Sequence, residues 1–273
     1  QHTISGFNFA ARPAPVWGSP QVLSDSSVSA SEPAMDVDLA GYFHLVWLEG
    51  PAGSAANTLH YATGMGGAMS SGVALSSLST GEFIRQPALM ADAQGWLHLA
   101  WSGGSRGEIF YSRAMIAAAA DPAAWSTAQV VSDGTAAWPQ LAYDLAGRLY
   151  LMYVVQYNEA RGVYLVHSTD GGMSWSQAEL IFDAAGAGWQ GIGAAALAAE
   201  AGAGGEQTTV LHAAWVEEAL PGTQPSQGLY YSRATTSLAE LELLAWSEPL
   251  VMAGELANWP RLVLAEDELH LLY

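Results

Sequence analysis

A five-residue pattern of mostly apolar residues recurs five times along the chain, and its spacing indicates a repeated β-strand. The second residue of the pattern is histidine in four copies and tyrosine in the third. These second residues are separated by 54, 52, 62 and 58 residues. The chain is therefore predicted to contain about five copies of one unit, with the pattern at Phe43–Trp47, Leu97–Trp101, Leu149–Tyr153, Leu211–Trp215 and Leu269–Tyr273.

Further strands are predicted on both sides of this pattern, which we call strand B. Short runs of aromatic and branched residues between Gly, Asp and Ser are typical of strands. An apolar segment ahead of each copy is predicted as strand A, at 33–41, 87–95, 139–147, 191–202 and 260–268. A tyrosine-rich strand C follows at 59–62, 109–113, 163–168 and 229–233, and a strand D at 73–78, 129–132, 179–183 and 249–253. Four strands at this period predict an all-β, five-bladed β-propeller with four-stranded antiparallel blades.

The fifth repeat ends at Tyr273, directly after its strand B. Segments 6–11 and 20–24 have the pattern of its missing strands C and D. We therefore predict one domain over residues 1–273, with a fifth blade split between 1–25 and 255–273 and built from two strands of each terminus. Such closure hides sheet edges that would otherwise promote aggregation. Two alternatives are a fragment of a longer propeller and terminal strands that complete a neighbouring copy.

The composition is that of a folded, strongly acidic protein. Hydrophobic residues make up 51% of the chain and charged residues 12%, which is enough apolar material for a large core. The chain has 26 acidic and 8 basic residues, all arginine, and a net charge of −18. This charge disfavours nucleic acid and anionic lipid surfaces as partners. No run of 18 apolar residues is present to insert into a membrane.

The cellular location is suggested only by the start of the sequence. The chain has no cysteine, so disulfides do not indicate a compartment. It begins at Gln1 rather than Met, as it would after removal of a signal peptide, although other trimming would look the same. We expect a secreted, extracellular protein.

One turn carries a family resemblance. Residues 168–175 match the pattern Ser-x-Asp-x-Gly-x-x-Trp, with glycines that permit positive φ and a tryptophan that can pack on the sheet. The chain therefore resembles the sialidase-like propellers with BNR (Asp-box) repeats, over nearly its whole length. The resemblance implies that this box is structural and lies on the face opposite the active site. Degenerate copies keep the tryptophan, at Trp17, Trp125 and Trp246.

Recurring histidines and aspartates are interpreted as structural. Metal ligands must converge, whereas each of these histidines occupies the same position of a different repeat. We therefore predict interior packing for the histidines and neither a metal nor a cofactor for the protein. Aspartates between strands A and B are predicted to form turns. The histidines are 44, 98, 212 and 270, and the aspartates are 38, 92, 144 and 267.

A ligand site is predicted where the D–A and B–C loops gather at the mouth of the central channel. Aromatic faces for stacking, next to charged groups for directional hydrogen bonds, are suited to sugar or cation recognition. The alternative is that the tryptophans only plug the channel. The predicted ligand-binding residues are Glu32, Arg85, Gln86, Trp138, Trp189, Trp259 and Arg261. The B–C loops add Glu49, Arg106, Tyr157, Glu159, Arg161, Glu217 and Glu218 around them.

Three classes of function follow from this site. The resemblance implies that a sialidase needs three arginines, a tyrosine nucleophile with a glutamate and an aspartate acid, and only Arg85 and Arg261 lie in the ring. The main prediction is an extracellular, non-enzymatic propeller that binds a carbohydrate or a cell-surface protein. The first alternative is a glycoside hydrolase, either sialidase-like or with paired carboxylates drawn from Glu49, Glu159 and Glu217. The second is a structural subunit that self-assembles into a homo-oligomer or filament.

Overall fold

The structure is a computed structural model. It describes residues 19–24, 27–51, 57–78, 83–132, 134–202, 205–219, 228–237, 245–254, 258–265 and 268–273. The first sheet contains β1 (Val28–Val37), β2 (Phe43–Pro51), β3 (Thr58–Met65), β4 (Ala68–Met69) and β5 (Val73–Ala74). The second contains β6 (Ile84–Ala91), β7 (Trp96–Gly103), β8 (Glu108–Met115) and β9 (Gln129–Val130), and the third β10 (Ala137–Tyr143), β11 (Leu149–Val155), β12 (Gly162–Ser168) and β13 (Glu179–Asp183).

The fourth sheet contains β14 (Gly191–Gly202), β15 (Gly205–Glu218), β16 (Gly228–Ser237) and β17 (Leu250–Ala253), and a two-stranded sheet contains β18 (Arg261–Ala265) and β19 (Glu268–Leu272). Short 3-10 turns occupy Ser76–Leu78, Ile116–Ala118 and Pro122–Ala124. No helix in these described ranges is long and apolar enough to span a membrane.

All strand pairs are antiparallel, and in the four-stranded sheets the strands pair in chain order, as the predicted A, B, C, D sequence requires. In the first sheet both β4 and β5 pair with β3. The all-β prediction and the four-stranded antiparallel sheets are thus confirmed. The first strands of successive sheets lie side by side, from β1 through β6, β10 and β14 to β18. Core clusters fill the spaces between neighbouring sheets; Leu99 and Trp101, for example, pack in one cluster with Val46 and Leu59 of the first sheet.

One of the N-terminal segments predicted to complete the fifth blade, 20–24, differs from the prediction. Residues 20–23 form no strand, so the strand D predicted at 20–24 is wrong. The Gln21 side chain instead exchanges two hydrogen bonds of 3.0 Å with the backbone of Met69 on β4, which ties this segment to the first sheet. The strand C predicted at 6–11 lies outside the described residues.

In the first three sheets, the turn between the first two strands uses aspartate in one way. Oδ1 of Asp92 accepts the amides of Gln94 and Trp96 at 2.9 and 2.7 Å, and Oδ2 lies 3.2 Å from Nε2 of His98. The other nitrogen of His98 lies 2.7 Å from the Tyr111 hydroxyl. His44 and His212 make the same contact with Tyr61 and Tyr231, while His270 is half exposed. Asp267 lies outside the described residues.

In the third sheet Tyr150 stands at the histidine position, and the turn aspartate forms a buried ion pair with Arg148. Nε of Arg148 donates to Oδ2 of Asp144 at 2.5 Å, and both side chains are almost fully buried. Oδ2 of Asp144 also accepts the Tyr150 hydroxyl at 3.1 Å and the Thr209 hydroxyl at 2.9 Å. Arg148 in turn donates to Oγ1 of Thr209 at 3.0 Å. Because Thr209 lies on β15, this network joins the third sheet to the fourth.

The turn at 168–175 joins the third sheet to the second. Asp170 accepts the amides of Met173 and Ser174 at 2.9 Å each, and the Ser174 hydroxyl is the first of the hydrogen bonds that lower the Asp170 pKa to about 2. Gly172 has φ of +86°, and a Cβ there would lie 2.0 Å from the Tyr111 hydroxyl of β8. Trp175 meets the Tyr111 ring edge-on at 4.9 Å. The turn is therefore part of the contact between two sheets.

Candidate functional site

Four residues in or just before the first strands of their sheets have left-handed backbone conformations. Glu32, Gln86, Trp138 and Trp259 have φ values of 50°, 53°, 54° and 49°, and each precedes a proline. In the first three sheets the residue lies in a β-bulge between the first and second strands. Non-glycine residues adopt this conformation at an energetic cost, and a bulge changes the direction of a side chain. Four of the seven predicted site residues therefore share one unusual backbone geometry.

Hydrogen bonds link these bulges from one sheet to the next. The amide of Gln86 donates to the carboxylate of Glu32. The amide of Trp138 donates to Oε1 of Gln86 at 3.0 Å. Each polar side chain thus satisfies the backbone of the following bulge. The series of hydrogen bonds ends at Trp138, because an indole side chain has no acceptor for the backbone amide of the next bulge.

The bulges surround a cavity of about 580 Å3, which we call the central cavity. Two tryptophans contribute aromatic faces to it: Trp138 is partly buried and Trp259 is 67% exposed. Two arginines and one glutamate contribute charge. The lining residues are Glu32, Pro33, Arg85, Gln86, Pro87, Trp138, Gln140, Trp259 and Arg261. The structure thus brings together six of the seven predicted ligand-binding residues.

Trp189, the seventh predicted site residue, does not line the central cavity. Its ring packs between Phe182 and Tyr230, with centroids 4.5 Å away on each side. The bulge of β14 lies between Ile192 and Ala195, which places Gly193 rather than Trp189 at the equivalent position. The sequence did not indicate this shift, because β14 lacks the proline that follows the bulge residue in the other sheets.

The central cavity has an excess of positive charge. Arg106 and Arg148 form ion pairs with Glu108 and Asp144. Arg85 and Arg261 take part in no ion pair among the described residues, and the guanidinium of Arg85 lies 5.8 Å from the ring centroid of Phe83. Glu32 is the only carboxylate contributed to the cavity by the part of the chain that the structure describes. Two guanidinium groups with no ion pair among the described residues therefore contribute to one cavity in a chain of net charge −18.

Two solved structures superpose on most of this chain. A Hadza microbial sialidase superposes with a TM-score of 0.55 at 13% identity, over 86% of this chain and 48% of the sialidase. An exo-1,5-α-L-arabinanase from a bovine ruminal metagenomic library superposes with a TM-score of 0.51 at 14% identity, over 92% of this chain and 89% of its own. The fold is a β-propeller. The predicted resemblance to sialidase-like propellers is thereby confirmed at the level of the fold.

The two sequence-based comparisons give a different result: no family model matches the chain, and no curated protein matches it. This propeller spans about half the length of the sialidase. The main prediction of a non-enzymatic binding protein is corrected by the structural comparison. The neighbours are named as a sialidase and an arabinanase, which are glycoside hydrolases, and this finding favours the first alternative.

The carboxylates considered for a catalytic pair lie outside the central cavity of the propeller. Oε1 of Glu49 accepts the Trp47 indole N–H at 2.7 Å, and Oε2 lies 3.4 Å from Nε2 of His60. Glu217 accepts the Tyr230 hydroxyl at 3.0 Å. Glu159 is exposed and absent from the lining. The carboxylate that does face the cavity, Glu32, was predicted only as a ligand-binding residue.

The other B–C loop residues have varied positions. Arg161 donates through Nε to the carbonyl of Trp189 at 2.5 Å and so holds a loop. Tyr157 lines a second groove beside the central cavity. No group of three or more His, Asp or Glu side chains suited to a metal ion occurs in the described ranges.

Proposed function

We propose that this propeller is a glycoside hydrolase that acts on a carboxylate-bearing sugar in the central cavity. The observation that supports this most directly is the presence of Arg85 and Arg261, both without an acidic partner among the described residues, in the same cavity as Glu32. The chain has 26 acidic residues with which an arginine can pair. Two guanidinium groups that contribute to one cavity are suited to bind an anionic ligand.

The chemistry of the lining fits such a sugar. A guanidinium group binds a carboxylate through two parallel hydrogen bonds, which fixes both position and orientation. Trp138 and Trp259 offer flat apolar faces on which the C–H face of a pyranose can stack. The remaining polar side chains, Gln86 and Gln140, can bond to sugar hydroxyls.

Glu32 is the candidate for the proton transfer that hydrolysis requires. Glycosidases cleave the bond with carboxyl groups that protonate the leaving oxygen or activate water. The hydrogen bond from the Gln86 amide holds the Glu32 carboxylate at the cavity wall. We assign to it the transfer of a proton at the scissile bond.

A panel of fluorogenic glycosides tests this proposal. We expect hydrolysis of a 4-methylumbelliferyl glycoside of N-acetylneuraminic acid or glucuronic acid, in preference to the neutral galactoside and arabinofuranoside. Replacing Arg85 or Arg261 with Gln is expected to raise KM for the acidic glycoside at least about tenfold, because a charged hydrogen bond contributes about 1.5–3 kcal/mol. Steady-state kinetics measures both effects.

The control is Arg233→Gln, which removes the same charge from an exposed position on β16 and is expected to leave KM unchanged. The proposal fails if no glycoside of the panel is hydrolysed. It also fails if a neutral glycoside is preferred and its KM is insensitive to both cavity arginines.

We also propose that the propeller has five blades and that segment 6–11 pairs with β19. Trp259 has the same backbone geometry as the bulge residues of the other sheets, and Arg261 shares the central cavity with Glu32 of the first sheet. The two-stranded sheet thus borders the same central cavity as the first sheet, which supports a closed ring. A secreted location and a glycan partner remain predictions that accord with this activity.

Hydrogen exchange tests the closure. In β19 alternate amides face away from β18, and pairing with segment 6–11 is expected to protect them as well. Replacing Phe9 with Pro removes an N–H from that segment and is expected to release this protection. Free exchange of every second amide over 268–272 in the unmodified protein would contradict the closure.

A further inference from the structure

A second groove opens beside the central cavity, between the second and third blades. Its volume is about 450 Å3, and we call it the lateral groove. It shares Arg85 and Gln86 with the central cavity, so the two spaces meet at these side chains. Its further lining includes Phe83, Ser102, Thr135, Gln156, Tyr157 and Asn158. A ligand in the central cavity that reaches Arg85 therefore lies next to the lateral groove.

The lateral groove is chemically unlike the central cavity. Apart from Arg85, its described lining has no charged side chain. Nε2 of Gln156 donates to the carbonyl of Ile192 at 3.3 Å, which holds the amide in place and leaves its carbonyl oxygen available. The Thr135 hydroxyl donates to the carbonyl of Arg106 at 2.8 Å and can still accept. Fixed neutral groups of this kind suit hydroxyl groups rather than ions.

Aromatic rings complete the groove. Tyr157 is 40% exposed, and Gly191 allows it to pack closely, since a Cβ there would lie 2.6 Å from the tyrosine ring. Burial, together with a hydrogen bond to the Glu218 carboxylate, raises the Tyr157 pKa to about 12, so the ring stays uncharged near neutral pH. Phe83 adds a second apolar ring. Aromatic rings with neutral hydrogen-bonding groups are the features that bind neutral sugars.

We infer that the lateral groove binds the neutral leaving-group sugar of an oligosaccharide whose acidic sugar occupies the central cavity. This inference rests on the proposed hydrolase function. Hydrolysis breaks the bond between the anomeric carbon of the acidic sugar and the bridging oxygen. The oxygen of water joins the anomeric carbon, and a proton completes the hydroxyl of the neutral sugar in the groove. The substrate class is thus an acidic sugar linked to a neutral glycan.

Leaving-group dependence tests the groove. The probes are the methyl glycoside of N-acetylneuraminic acid and sialyllactose, which share the acidic sugar and differ in what the groove can bind. We expect the wild-type protein to have a kcat/KM at least about tenfold higher for sialyllactose, since binding of a remote group contributes to catalysis. Tyr157→Ala and Gln156→Leu are expected to reduce this preference several-fold or more. Tyr42→Ala is the matched control, because Tyr42 is 43% exposed and lines neither cavity.

Saturation-transfer NMR separates this inference from the hydrolase proposal. With the Glu32→Gln variant and sialyllactose, protons of the lactose unit are expected to receive saturation, and Tyr157→Ala in that background is expected to abolish it. Saturated lactose protons without hydrolysis by the wild-type protein would support the groove and overturn the hydrolase. Hydrolysis with equal kcat/KM for both probes, or unsaturated lactose protons, would overturn the groove.

Discussion

Glu32→Gln is expected to lower kcat for an acidic glycoside by at least about 100-fold, the lower range of what one proton-transfer group contributes. The amide oxygen of glutamine can still accept the N–H of Gln86, so the bulge keeps its hydrogen bond. The variant loses the carboxyl group that takes up and releases a proton in the reaction. Initial rates with the fluorogenic glycoside measure the loss, and thermal melting checks that the fold is retained.

Glu159→Gln is the matched control for this experiment. Glu159 is an exposed carboxylate in the loop between β11 and β12 that lines neither cavity, and its replacement is expected to leave kcat unchanged. A Glu32→Gln variant with a kcat within tenfold of the wild-type value would show that Glu32 does not transfer the proton. Loss of activity in Glu159→Gln would instead indicate that Glu159, in the loop, transfers the proton.

The largest expected effect on stability comes from Arg148→Met. The guanidinium of Arg148 is buried against Asp144, whose relative exposure is 5%. Removing one partner of a buried pair leaves an uncompensated charge and costs about 3–5 kcal/mol. The hydroxyls of Thr209 and Tyr150 remain as donors to Asp144 and reduce this cost without replacing the positive charge. Urea unfolding measures the change in the free energy of unfolding.

Arg106→Met provides the comparison for the buried pair. Its guanidinium lies 2.8 Å from Glu108, but the Arg106 side chain is 77% exposed. The Glu108 side chain is 10% exposed, but water and salt reach the Arg106 guanidinium and screen the pair, and pairs screened in this way contribute about 0–1 kcal/mol. We therefore expect a small loss of stability here. Similar losses in the two variants would show that burial of Arg148 does not determine its contribution.

Much of the site was predictable because its residues recur at one place in each repeat. Glu32, Gln86, Trp138 and Trp259 each precede a proline at the start of a predicted strand, and a local feature of this kind is visible in the chain. Trp189 was misplaced for the same reason, since β14 has no such proline and its bulge is set by pairing with β15. Glu49 and Glu217 were predicted as site carboxylates, but they lie outside the central cavity and accept hydrogen bonds from Trp47 and Tyr230, which the sequence did not indicate.

The sequence by itself determined the all-β class, the repeated order of four strands and six of the nine residues that line the central cavity. These properties depend on alternation of apolar residues, on turn residues and on X-Pro dipeptides, all of which act over a few positions. Only the tertiary structure decided which arginines form ion pairs within the described part of the chain, and that Arg85 lines two cavities of different chemistry. An ion pair or a groove between blades joins residues that are far apart in the chain, so its partners are set by packing of whole sheets rather than by local pattern.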